Sequence, residues 1–194
     1  MAKGAGQGEG IGNSFLADIR QCDALIHVLR CFDNPNLPHV EGSIDPVRDM
    51  EIVEFELQVK DLEQIEKKIS KVEKAAKVGE KEAKKALEVL LKHKAHLENF
   101  QNIRTLEVTP EEKAIVADMM LLTDKPVMIV CNVNDNDAVS GNKYVEQVTN
   151  ALQGQNLEIL HIAGKIEAEI AELDQADDRK EFLSDVGLTE PGVN

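Results

Sequence analysis

An α/β fold with a parallel sheet, interrupted by a long antiparallel αα-hairpin, is the architecture this 194-residue sequence predicts. Three observations predict it. Short, nearly continuous apolar runs at 23–29, 127–131 and 157–162 alternate with helical patterns, as buried parallel strands alternate with crossover helices. Two heptad-spaced segments lie between the first and second runs, separated only by Val78-Gly79-Glu80. So short a turn folds two helices back on each other.

The chain opens with Gly4, Gly6, Gly8, Gly10 and Gly12, which have wide backbone freedom and no side chains to pack, the signature of a mobile loop. Asn13 or Ser14 can cap a short helix to about Gln21, with Phe15, Leu16 and Ile19 on one side. The run from Asp23 to Leu29 then reads as a strand buried on both faces, with His27 as a core histidine holding a hydrogen bond. Asp45-Pro46 starts a helix that continues to about Lys77. Within it Leu62, Ile65, Ile69, Val72 and Ala76 form a heptad seam. Gly79 suits the left-handed position after a helix. Ala86, Leu90, His93, Leu97 and Phe100 make the facing seam. The first arm should measure about 45–50 Å at 1.5 Å per residue, so its tip should project into solvent.

Thr109-Pro110-Glu111-Glu112 is a capping box opening a helix that carries Ile115, Val116, Met119, Met120 and Leu122. The strand 127–131 follows, then a helix at 143–152, the strand 157–162, and a helix from about Ile166. These elements divide into residues 1–45 and 106–194, which build the sheet domain, and 46–105, the inserted hairpin.

Composition narrows the function classes. Aromatic residues make up 3% of the chain, with no Trp, which weakens any reading based on stacked bases. Cys22, Cys31 and Cys131 have neither CxxC nor metal-ligand spacing, so no metal site is expected and the thiols read as reduced and intracellular. No apolar stretch is long enough for a bilayer and no secretory leader is visible. A cytoplasmic protein with neither a membrane nor DNA as partner is the expectation. The net charge of −14 is uneven: residues 60–96 hold eleven lysines and seven acids, +4, which leaves −18 for the rest. Lys71, Lys74, Lys77, Lys81, Lys84 and Lys85 crowd the turn of the hairpin. They form either a solvated face or a contact for a polyanion.

In open parallel sheets ligands bind beyond the carboxyl ends of the strands. Three segments fall there, namely 30–43, 132–142 and 163–165. In Asn132-Val133-Asn134-Asp135 the first asparagine can brace neighbouring loops, and the acid three residues on can accept from the edge of a base. A plain polar turn has the same composition. No GxxxxGK[ST] loop to cradle phosphates is present; the sole Gly-Lys pair is Gly164-Lys165. No catalytic triad or dyad stands out.

Taken together, 3–16, 39–49 (His39-Val40-Glu41-Gly42-Ser43-Ile44-Asp45-Pro46-Val47-Arg48-Asp49), 165–173 and the closing run 181–194 resemble the Obg-like ATPases of the YchF type, P-loop proteins of the translation-factor class. The resemblance covers essentially the whole chain. It implies a partial, G-domain-like P-loop NTPase sheet with the hairpin as the family's coiled coil. It also implies ATP or GTP with Mg2+ in the intact family, and ribosome or rRNA as partner. Gly4, Gly6, Gly8, Gly10 and Gly12 would belong to the second switch segment. Residues 132–135 would occupy the base-specificity motif, NxxE in this family, with Asp135 in place of Glu. Ala163-Gly164-Lys165 would match the last nucleotide motif, departing from SAK at two positions. Against that family the sequence opens after the P-loop, the first switch and the DxAGLV strand, and closes before the TGS domain. The first strand would then lose a neighbour, so self-association through an exposed sheet edge is expected. These 194 residues alone should neither hydrolyse nucleotide nor bind it tightly, and could instead serve as an interaction module acting through the hairpin.

Overall fold

A computed structural model describes residues 10–192 except Asn156, with side chains from Phe15 onward. Its elements are α1 (Gly10–Gln21), β1 (Leu25–Arg30), α2 (Pro46–Lys77), α3 (Lys81–Glu98), α4 (Pro110–Val116), β2 (Val127–Asn132), α5 (Lys143–Ala151), β3 (Glu158–Ile162), α6 (Gly164–Glu172) and α7 (Ala176–Asp185). Short 3-10 turns lie at Ile103–Thr105, Ala117–Met119, Leu122–Asp124 and Asp135–Asp137. Two compact units result: Met1–Leu25 with Glu51–Pro126, and Ile26–Met50 with Val127–Asn194. Gly4, Gly6 and Gly8 lie outside the described residues.

The second unit carries the sheet, in the order β1-β2-β3. β2 and β3 run parallel, with Met128 opposite Glu158 and Asn132 opposite Ile162. The Cys31 amide donates to the Asn132 carbonyl at 2.8 Å. Leu29, Cys31, Ile129, Cys131 and Val133 pack with Tyr144 and Val148 of α5, Ile166 and Ile170 of α6, and Leu183 of α7. Cys31 and Cys131 have no exposed surface, whereas Cys22, in the first unit, is open to solvent. The side-chain hydrogen bond with Cys131, and after it burial, push the Cys31 thiol far above its ordinary pKa. The expected burial of β1 on both faces is corrected: Ile26 and Val28 are 68% and 59% exposed, while Leu29 is buried. His27 is half-buried. β1 is an edge strand with one face open, and alternation sends its apolar residues alternately inward and outward. α7, whose sequence is polar and weakly patterned, was not foreseen; Phe182, Leu183 and Val186 hold it to the core.

The hairpin forms the body of the first unit. Asp45 starts α2 as its sequence indicates, its Oδ1 accepting from the Arg48 amide at 3.0 Å. Thirty-two residues give a helix about 48 Å long. Ile65, with Leu62, Ile69 and Val72 beside it, meets Val89, Leu90 and Leu97 of α3, and Ala76 and Ala83 are buried near the turn. Gly79 takes φ +96, the left-handed region that makes glycine the favoured residue there. Phe100 is the exception to the predicted seam. It lies past the end of α3, 72% exposed, at φ +57, a conformation costing a non-glycine residue roughly 1–2 kcal/mol. Its ring faces that of Phe55 with centroids 6.0 Å apart. His93 is buried and its Nδ1 lies 2.7 Å from the Val89 carbonyl. The carbonyl can only accept, so Nδ1 carries the proton. Burial holds the His93 pKa below its ordinary value.

Two helix boundaries differ from expectation. α1 begins at Gly10, so Gly10 and Gly12 lie in its first turn rather than in a loop. The Thr109 capping box forms in full, but α4 ends at Val116 instead of carrying through Leu122. The reason is a carboxylate from another helix. Asp61, with no exposed surface, accepts from the amides of Leu122 and Thr123 at 2.9 and 2.8 Å and from the Thr123 hydroxyl at 2.8 Å. It also takes the Arg20 guanidinium at 3.1 Å. These bonds stop helical hydrogen bonding and turn the chain, with Met120 in the left-handed region at φ 46. Leu16 and Ile19 of α1 pack beside Leu57, Val53 and Leu122, next to this polar anchor.

Removing one member of a buried, bonded charge pair strands its partner. Asp61→Ala should therefore lower the unfolding free energy by about 3–5 kcal/mol, read by urea denaturation. A loss below about 1 kcal/mol, the worth of one ordinary hydrogen bond, would show that Asp61 anchors nothing.

Candidate nucleotide-base site

The three segments expected beyond the carboxyl ends of the strands converge within the second unit. The Asn132 side chain, at the end of β2, accepts from the Gly164 amide at 3.0 Å, joining the loop after β2 to the start of α6. Space is tight there: a Cβ at position 164 would lie 3.1 Å from Asn132 Oδ1, so that side chain would have to give by a few tenths of an ångström. The Val133 amide donates to the Ile162 carbonyl at 2.9 Å, which extends the β2–β3 pairing by one residue. The loop then tightens into the 3-10 turn Asp135–Asp137.

Asn142 performs a second bracing role. Its Oδ1 caps α5, accepting from the Tyr144 and Val145 amides at 3.0 and 3.3 Å. Its Nδ2 donates to the Cys31 carbonyl and to Asp137, both at 2.8 Å. The Tyr144 hydroxyl donates to Asp33 at 2.8 Å. Arg30 folds the remaining loop by donating to the carbonyls of Phe32 and Leu37, and its guanidinium stands 4.8 Å over the Phe32 ring. Side chains thus fix all three loops to one another, which is what a pre-formed site needs.

A cleft of about 410 Å³ opens there, lined by residues 132–136 with Phe32, Asn34 and Lys165. Of the predicted site residues, Asn132, Val133, Asn134, Asp135 and Lys165 line it. Ala163 is buried behind it, and Gly164 acts through its amide. Phe32, Asn34 and Asn136 were not singled out from the sequence; their position directly after strands was the available signal. Lys165 lies 2.9 Å from Asp135 and 3.6 Å from Glu169. The Asp135 carboxylate holds the Lys165 pKa above its ordinary value.

The cleft wall therefore sets a carboxylate acceptor beside an ammonium donor, flanked by asparagine amides that offer both. Adenine presents a donor (N6) beside an acceptor (N1). Guanine presents two donors (N1 and N2) beside an acceptor (O6). Either edge is complementary to the pair, and guanine can use both carboxylate oxygens. Among the described residues no group of three or more His, Cys, Asp or Glu could hold a metal ion. None of the described helices is long and apolar enough to cross a membrane.

A parallel three-stranded sheet with braced loops at its carboxyl edge, and a helical hairpin between its first two strands in sequence, defines the G-domain-like α/β class. Within that class the chain is homologous over its whole length to proteins named YchF. It is 42% identical over 194 residues to the ribosome-binding ATPase YchF of Escherichia coli O157:H7, and 40% identical over 196 residues to that of Bacillus subtilis. Each alignment covers the whole of this chain and 53% of the relative. The solved structure of the Schizosaccharomyces pombe YchF GTPase superposes with a TM-score of 0.83 at 28% identity, over 98% of this chain and 52% of that one. The chain spans about half the length of the curated relatives it matches. No family model matches it.

Proposed function

We propose that these residues form the base-recognising part of a purine-nucleotide site in a cytoplasmic, ribosome-associated NTPase of the YchF type. The cleft beside the Asn132–Gly164 bond supports this most directly, because it presents Asp135 and Lys165 together at the carboxyl edge of a parallel sheet. In this reading residues 132–135 and 163–165 read the base, the glycine-rich start from Gly4 to Gly12 is the second switch, and residues 46–105 are an inserted domain. ATP or GTP with Mg2+ is the ligand of the intact protein. Phosphate binding and hydrolysis are assigned to residues outside these 194, which contain no GxxxxGK[ST] loop.

Base contacts without phosphate contacts bind weakly. Equilibrium dialysis of the purified chain should give an affinity on the order of 1 mM for ATP and GTP, about −4 kcal/mol, and no phosphate release. Asp135→Ala should weaken GTP more than ATP, because only guanine uses both carboxylate oxygens. Equal affinity in the variant and the parent would remove Asp135 from the site.

The relatives named as ribosome-binding point to a second role, carried by the hairpin. Near its base the lysines are neutralised in pairs, Lys68 with Asp118, Lys92 with Glu112 and Lys94 with Glu66. Towards the turn the pattern changes. Lys77 pairs with Glu73 at 2.8 Å, whereas Lys71, Lys74, Lys81, Lys84 and Lys85 are exposed and form no ion pair among the described residues. Unpaired lysines on an exposed arm suit rRNA phosphates. Reversing the charge of Lys71, Lys74, Lys81 and Lys84 together should reduce co-sedimentation with ribosomes at least tenfold at low salt. Unchanged pelleting would make them a solvated face.

The open face of β1, with Ile26 and Val28, is the surface proposed for self-association of this chain. Sedimentation velocity should show concentration-dependent species that Ile26→Lys reduces. A monomer at all concentrations would exclude the idea.

A further inference from the structure

Phe55 and Phe100 form a surface patch that folding alone does not explain. The sequence holds only five phenylalanines, yet these two are 52% and 72% exposed with their rings 6.0 Å apart. Phe100 reaches this place by adopting φ +57 directly after the C-cap of α3, where glycine or asparagine would sit without strain. The strained backbone is held in place, its amide donating to the Leu97 carbonyl at 2.9 Å and its carbonyl accepting from the buried Gln58 amide. A bulky residue kept in an unfavourable conformation, without burying its ring, is the kind of local conflict that marks a working surface.

The charges around the patch select its occupant. Glu51 lies four residues before Phe55 on the same helix face, and Glu98, two residues before Phe100, shares Lys94 with Glu66, two carboxylates against one ammonium. The nearby cation, Lys94, is already engaged by Glu66 and Glu98. Exposed ring faces beside carboxylates attract a planar cation that can stack on the ring while it donates to the acids. Nucleic acid is disfavoured by its like charge, and so is a second copy of this acidic surface. We infer that the Phe55–Phe100 patch docks an arginine-bearing polypeptide segment of a partner protein.

Isothermal titration of the chain with a twelve-residue peptide of alternating Arg and Gly tests this, with the Lys-Gly peptide as its control. The Arg peptide should bind at least fivefold more tightly than the Lys peptide. Phe100→Gly should cut that affinity about tenfold while leaving the melting temperature unchanged or raised, since it relieves the left-handed strain. Phe55→Ser should cut it similarly, as a second variant in an unstrained helix. Unchanged Arg-peptide affinity in Phe100→Gly overturns the assignment, as does equal binding of the two peptides. Direct binding of an RNA oligonucleotide to the chain that Phe100→Gly abolishes overturns it in favour of nucleic acid. Self-association that Phe100→Gly abolishes overturns it in favour of a second copy.

Discussion

Asp61 sits in the middle of a long helix with no surface exposed to water, a position where an unsatisfied carboxylate would be prohibitive. It is tolerated because two backbone amides, a hydroxyl and a guanidinium surround it. The same bonds decide where several other elements go. They terminate the helical run after α4, start the 3-10 turn at Leu122–Asp124, and tie Arg20 at the end of α1 to the hairpin's first arm. Arg20 also donates to the Met120 carbonyl at 3.1 Å, and Lys125 donates to the Arg20 and Cys22 carbonyls at 2.9 and 2.6 Å. The segment leading into β2 is thereby held by side chains on both sides of one buried charge. Hydrophobic contacts alone would let α1 slide along α2, because apolar packing is non-directional.

The cleft at the end of β2 follows the same principle in milder form. Asn132 and Asn142 are side chains used as pieces of backbone, each bridging segments distant in sequence. With those amides engaged in structure, the remaining polar side chains that line the cleft include Asn134, Asn136, and Asp135 and Lys165, the last two bonded to each other at 2.9 Å. The names of the relatives divide between ATPase and GTPase, and the Asp135–Lys165 pair has matching groups for either purine.

What could be read from the sequence was local. Asp45, Thr109 and Gly79 mark their helix ends through bonds or torsions that span only a few residues, so their signals survive without knowledge of the fold. The hairpin was equally plain, since its two seams repeat with a fixed period. The role of Asn132 as a brace between loops was also legible, because a polar residue ending an apolar strand has few other uses. Asp61 was not, for its partners lie some sixty residues away and nothing in its own neighbourhood announces them. Phe100 continued the three-four spacing of α3, and only the turn after Glu98 removes it from the seam. Ile26 and Val28 looked like core because an apolar run does not say how many of its faces are covered. α7 lacked periodicity, and its docking residues became recognisable only beside the core they touch.

The unequal burial of the three cysteines has a practical side. Cys31 and Cys131 sit in the sheet core with no exposed surface, so neither is within reach of an electrophile in solution. Cys22 stands in the open just beyond α1, its carbonyl held by Lys125. A maleimide fluorophore or nitroxide added to the native chain would attach at a single address, at the junction between the glycine-rich start and the first strand. The unmodified molecule thus already carries a spectroscopic reporter position where movement of that helix would register.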